Sequence, residues 1–136
     1  MDYKLEYLGN LRTKLTHLRS NTVIQTDAPV DNNGKGEAFS PTDMVSAALA
    51  ACMVTMVGIK AEQMDLGEMK MNASISKVML SDPRRIGTIG VELHIQLIPE
   101  RDTPKNREIL KRTALTCPVA QSLDPKLNQD IKITFD

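Results

Sequence analysis

The chain has 136 residues, a length that suits one domain spanning 1–136. Its 17 Lys plus Arg balance 17 Asp plus Glu, and it carries two Tyr, two Phe and no Trp. That balance argues against nucleic acid as a partner, because phosphate binding leans on excess cations and single-strand binding on aromatic platforms.

The first segment, Met1 to Asn10, has no apolar h-region and does not read as a signal peptide. The longest weakly polar stretch, Met44 to Ile59, is broken by Ser46 and Thr55 and is short for a membrane span. A cytoplasmic protein without a membrane partner is therefore expected. In that reducing compartment its two cysteines are expected to be free, catalytic or redox-cycling rather than a permanent bridge.

In chain order, Tyr3 to Leu8 alternates as a half-buried strand, Gly9-Asn10 marks a turn, and Leu11 to Leu18 alternates again. Ser20-Asn21 is the next turn, and Thr22 to Thr26 is a short β-prone run, which completes an antiparallel meander. Asp27 to Gly36, rich in Asp, Asn, Gly and Pro, reads as a mobile loop. Ser40-Pro41-Thr42-Asp43 then opens a helix: Ser40 is the N-cap, Pro41 takes the first position, and Asp43 places negative charge in the first turn. The helix is predicted to run to about Met64, with Gly67 near its end. From Ala47 to Ile59 it is apolar on nearly every side, so it should be buried all round. A lone domain this small is hard pressed to cover it, and a second copy of the chain is expected to supply part of the cover.

Glu68 to Leu80 and Ile86 to Ile98 read as a long hairpin around the turn Ser81 to Arg85. In its second part Ile89, Val91, Leu93, Ile95 and Leu97 share one face. Thr103 to Thr113 is a helix capped by Thr103, a short second helix starts at Cys117-Pro118, and Asp130 to Phe135 is the closing strand. The order is that of an α+β fold.

Read locally, Cys117 has the better case for chemistry. It sits at an N-cap, where free amides and the helix dipole favour a thiolate, although a buried capping residue fits as well. Cys52 lies mid-helix among Ala50, Ala51, Met53 and Val54, and by itself reads as core packing. His17 and His94 stand alone on strands. Neither a metal-type ligand spacing nor a phosphate-cradling glycine pattern occurs, so no metal and no cofactor are expected.

Two stretches resemble the OsmC/Ohr family of hydroperoxide-resistance proteins. Ser40-Pro41-Thr42-Asp43 through Ala50-Ala51-Cys52 is similar to the helix that carries that family's reactive cysteine. Cys117-Pro118-Val119-Ala120 is similar to its second signature, with Ala120 where Ser is usual. The resemblance implies two antiparallel sheets sharing long central helices in an intertwined homodimer. It also implies a thiol peroxidase acting on organic hydroperoxides, with Cys52 peroxidatic and Cys117 resolving, recharged by a dithiol reductant such as a lipoylated protein.

The resemblance further implies an arginine that holds the peroxidatic thiolate. Arg12, just after the first hairpin turn, is the best match, and Arg19 is the reserve. The family's orienting Glu falls at Thr42, which cannot accept a bidentate guanidinium as a carboxylate does. Asp43, one residue on, points about 100° away around the helix, and Glu37 in the preceding loop could swing in. The Thr42 substitution keeps an alternative open: a dimer of the same fold with weak or no peroxidase activity, serving as a redox sensor or a binder of small apolar ligands.

Overall fold

A computed structural model describes all 136 residues, Met1–Asp136. Its backbone contacts divide the chain into two compact units, Met1–Val45 and Ser46–Asp136.

In the first unit β1 (Tyr3–Gly9), β2 (Arg12–His17) and β3 (Val23–Asp27) form an antiparallel sheet in that order. The β1–β2 turn is built on Asn10 and Leu11, whose φ angles of 53° and 61° are left-handed. Paired positive φ values at the centre of a two-residue turn match the twist of the flanking strands. Asn tolerates that conformation, whereas Leu adopts it only where the surroundings hold it. Leu11 is held here: its carbonyl accepts the Ala28 amide at 3.1 Å, and its own amide donates to the Tyr7 hydroxyl at 3.3 Å. The turn sets Arg12 as the first residue of β2, directly opposite Asp27 in the β2–β3 register.

Asp27, expected at the start of a loop, is the last residue of β3 and is fully buried. The loop pattern begins one residue later than composition suggested, because the ladder extends to the Arg12 pair. Beyond it Val30–Asn32 forms a single 3-10 turn. The helix start follows the sequence closely. The Asp43 amide donates to Ser40 Oγ at 3.0 Å, and the Ser40 amide donates back to Asp43 Oδ2 at 2.9 Å. This reciprocal capping satisfies two amides at the helix entrance.

Helix α1 (Pro41–Gln63) contributes most of its length to the second unit. There β4 (Met69–Leu80), β5 (Arg85–Leu97) and β6 (Asn128–Phe135) form a sheet in that order, and α2 (Pro104–Leu115) and α3 (Pro118–Ser122) lie in the β5–β6 connection. Strand β4 pairs antiparallel with β5, but β6 pairs parallel to it, so this sheet is mixed and not antiparallel throughout as expected. The reason is the connection: two helices carry the chain back to the end of the sheet where β5 began, and a strand entering there must run alongside it.

The core of this unit rests on β5, whose Ile89, Val91, Leu93, Ile95 and Leu97 are at most 5% exposed. Their register partners Ile131, Ile133 and Phe135 on β6 and Met69, Met71 and Ala73 on β4 extend the same face. Leu49, Met53, Val57 and Ala61 of α1 recur every fourth residue and join the same cluster, as do Leu110 and Ala114 of α2. Each fully buried aliphatic side chain contributes about 1.5–3 kcal/mol relative to exposure.

Within one chain, then, α1 is not buried all round. Only the stripe containing Ser46, Leu49, Ala50, Met53, Val57 and Ala61 is covered, and Val45 and Ile59 remain 37% and 44% exposed. One sheet can cover only one side of a helix. The helix is also longer than its most apolar stretch suggested: it has 23 residues, and an 18-residue window within it has a mean hydropathy of 1.8, so it is long and apolar enough to cross a membrane by length and composition. A core helix passes the same test, and its buried stripe packs on β5.

Candidate active site

Cys52 sits one residue before Met53 and three after Leu49, on the flank of the buried stripe. Position on the helix therefore leaves it half-buried, packed against the core but not enclosed by it. Cys117 is the N-cap of α3 and fully buried in the same core. Both thiols are free, belong to the same core cluster, and are near enough for the Cys52 sulfur to act electrostatically on the Cys117 thiol. Residues 65 positions apart in the chain are thus brought into one cluster.

The electrostatics of Cys117 reverse its local reading. The Ala120 amide does donate to its sulfur at 3.5 Å, as an N-cap position requires. Burial nevertheless pushes the Cys117 thiol above its ordinary value, and the neighbouring Cys52 sulfur pushes it the same way; the cap only partly offsets them. Cys117 is held as a neutral thiol. The helix is a single short turn with little dipole to offer, and full desolvation outweighs it.

Arg12 lies in the first unit with two carboxylates. Its Nη2 donates to Asp27 Oδ2 at 3.4 Å and to Glu37 Oε2 in a short ion pair. Glu37 does therefore reach Arg12, through a side chain that is 61% exposed. Asp27 was not foreseen as part of this cluster. Its Oδ2 also accepts the Glu37 amide at 3.0 Å, while its Oδ1 is buried without a partner. The Glu37 amide first, and then Arg12, hold the Asp27 carboxyl below the usual range against the opposing effect of burial. Glu37 and Asp27 together raise the Arg12 guanidinium further. The available signal for Asp27 was the hairpin register: a two-residue turn after Gly9 and a β3 ending at Asp27 set it opposite Arg12.

The remaining expected residues are elsewhere or otherwise engaged. Asp43 closes the helix cap with Ser40. Thr42 exchanges a hydrogen bond with Ser40 Oγ at 3.2 Å. Arg19 is exposed in the turn after β2. No group of three or more His, Cys, Asp and Glu side chains is arranged to hold a metal ion. His94 Nδ1 pairs with Thr134 Oγ1 at 2.6 Å across β5 and β6.

A family model described as OsmC-like protein matches residues 34–132. The chain is 45% identical to a protein from Psychrobacter arcticus 273-4 proposed to be an osmotic stress induced and detoxification response protein. That match has a TM-score of 0.90 and covers 98% of this chain and 96% of the other. It shares 18% identity with an organic hydroperoxide resistance protein OsmC from Legionella pneumophila, at a TM-score of 0.66 over 100% and 97% of the two chains. With the organic hydroperoxide resistance protein OhrB of Bacillus subtilis it shares 17% identity, at a TM-score of 0.59 over 100% and 98%. At such identities these last two likenesses are of fold alone. No curated protein matches the chain.

Proposed function

The chain belongs to the OsmC-like protein family, and from that premise we propose that it is a cytoplasmic thiol-dependent peroxidase that reduces organic hydroperoxides to alcohols as a homodimer. The observation that carries the proposal is the pairing in one core cluster of two free thiols of unequal burial, Cys52 and Cys117, the first raising the pKa of the second. Names of fold relatives that refer to hydroperoxide resistance support the same substrate class.

In the proposed cycle the half-buried Cys52 attacks as a thiolate. Its sulfur bonds to the terminal peroxide oxygen, the O–O bond breaks, and the departing alkoxide takes a proton to become the alcohol. Cys52 is left as a sulfenic acid. Cys117, kept protonated by burial, is its neighbour in the same cluster. Its sulfur attacks that of Cys52, its proton leaves with the hydroxyl as water, and a disulfide forms. A dithiol reductant of small or lipoyl type restores both thiols by exchange and itself becomes a disulfide. Such a thiolate needs a cation, and Arg12, paired with Asp27 and Glu37, is the residue that the family resemblance assigns to that role.

The homodimer has its support in apolar surface that one chain leaves open. Tyr3, Leu5 and Tyr7 line one face of β1 and are 65%, 62% and 66% exposed, and α1 shows Val45 and Ile59. Exposed apolar area on this scale marks an interaction surface.

The test is turnover of cumene or tert-butyl hydroperoxide with a dithiol reductant. Wild-type protein should consume peroxide, and Cys52→Ser protein should not; equal, slow consumption by both rejects the proposal. A second reading, a redox-sensing or apolar ligand-binding dimer without efficient turnover, is favoured by one observation. Arg12 is already compensated by two carboxylates. Rapid oxidation by peroxide without multiple turnover would select it.

A further inference from the structure

Within the second unit, α1 and α2 leave a groove between them with a volume of about 370 Å³. Met56 and Lys60 of α1 form one wall, and Ile109, Arg112, Thr113 and Thr116 along α2 and its C-cap form the other. Met56 lies one helical turn beyond Cys52 and Lys60 two turns beyond it, on the same side of α1. Thr116 immediately precedes Cys117. The groove thus starts one turn from the two thiols and runs towards Lys60. Its lining carries two cations and no acidic side chain. No ion pair engages Lys60 or Arg112. Lys60 is half-buried, so water screens its charge only in part. The hydroxyls are committed elsewhere: Thr113 Oγ1 donates to the Ile109 carbonyl and Thr116 Oγ1 to the Arg112 carbonyl, each at 2.8 Å. These bonds engage two carbonyls near the α2 C-terminus, the end that would otherwise repel an anion. Met56 and Ile109, both half-buried, supply the apolar part of the lining.

We infer that Lys60 and Arg112 select the substrate: the preferred hydroperoxides carry a carboxylate, which these two side chains bind while the apolar body lies on Met56 and Ile109. The inference rests on the reading of Cys52 as the peroxidatic thiol. Arginine offers a planar fork that matches two carboxylate oxygens, and lysine adds a compact point charge. The helix also sets a length. Cys52 and Lys60 are eight residues apart, a rise of about 12 Å along α1. An extended chain covers about 12 Å in roughly ten bonds, since three backbone bonds span about 3.5 Å. Carboxylate and hydroperoxide should therefore stand about ten bonds apart. A much shorter acid cannot reach both ends at once. A neutral hydroperoxide such as cumene hydroperoxide makes no use of the two cations.

The test compares 10-hydroperoxydecanoate with its methyl ester, which has the same length and peroxide but no charge. In wild-type protein kcat/KM for the acid should exceed that for the ester by roughly fivefold or more. The acid-to-ester ratio should fall to about one in the double variant Lys60→Gln/Arg112→Gln. Lys60→Arg, which keeps the charge, should retain the preference. The short acid 5-hydroperoxypentanoate should show no advantage over its own ester. A second readout needs no turnover. Decanoate should slow the alkylation of Cys52 by iodoacetamide in reduced wild-type protein, decanamide at the same concentration should slow it less, and the double variant should lose the difference. Far-UV circular dichroism checks folding, and Lys60→Gln alone replaces the double variant if that misfolds. Equal kcat/KM for acid and ester in wild-type protein, or a preference that survives in the folded variant, overturns the inference and leaves the peroxidase reading standing. Decanoate that leaves the Cys52 rate unchanged overturns it as well. Protein that turns over neither acid, ester nor cumene hydroperoxide rejects the peroxidase reading, and the substrate assignment with it.

Discussion

Cys52 and Cys117 share one core cluster, one on the flank of the α1 stripe and the other fully buried at the cap of α3, and the Cys52 sulfur helps to raise the Cys117 thiol. Their environments divide the roles: the buried thiol is held protonated, and the half-buried one is open to reagents.

Alkylation should show that division directly. With excess iodoacetamide at pH near 8, Cys52 should be modified at least about tenfold faster than Cys117, since both burial and a raised thiol pKa suppress thiolate reactivity. Peptide mass mapping at early times checks it, and equal rates would contradict it.

Stability should respond to alkaline pH in the same sense. Cys117 is raised above its ordinary value of 9.0, so the folded state binds its proton more tightly than the unfolded chain. Its contribution is fully present below the ordinary value and is lost as pH rises towards the folded-state value. The melting temperature of the reduced protein should therefore fall as pH rises above the ordinary 9.0, and fall less steeply in Cys117→Ser. Parallel curves for the two proteins would count against a raised Cys117.

Acid should act through Asp27 with the opposite sign. Its carboxyl is held below the ordinary 3.8, so it stabilises the fold above that value and ceases to do so as pH falls through the native one. Wild-type protein should lose thermal stability on going from pH 5 to about 3 more steeply than Asp27→Asn. Circular dichroism melts across that range supply the comparison.

The β5 face is expected to dominate the stability of the second unit. Leu93→Ala and Leu110→Ala each remove a side chain that is 0% exposed and should destabilise by about 2–5 kcal/mol. Denaturant unfolding measures the loss. Ile75→Ala, at a side chain 44% exposed in the single chain, should have a much smaller effect.

Much of this architecture was legible from residue pattern. The strand alternation of Ile89 to Leu97, the Ser40–Asp43 cap and the Thr103 cap, whose Oγ accepts the Asn106 amide at 3.2 Å, depend on neighbours close in sequence. What escaped depends on pairing across distance. The parallel setting of β6 follows from how two helices route the chain, which periodicity does not encode. Asp27 looked like the start of a loop because composition ranks Asp as a turn residue, whereas its partner Arg12 lies on another strand. Cys117 looked activated because a cap is a local signal, and the burial that reverses it comes from the assembled core.

One chain leaves Tyr3, Leu5 and Tyr7 and one side of α1 open, so the protein should sediment at twice its 15.1 kDa. Ile59→Glu, which places a charge on the uncovered side of α1, should shift the population towards the single chain. A wild-type protein that sediments as a monomer at micromolar concentration would contradict the proposed assembly.

The most direct measurement is a thiol titration of the reduced protein before and after one equivalent of cumene hydroperoxide, with intact mass recorded on the same samples. Two titratable thiols per chain should fall to none, with the loss of two hydrogens that marks a Cys52–Cys117 disulfide. Two thiols still titrating after peroxide addition, in folded protein, would contradict the account.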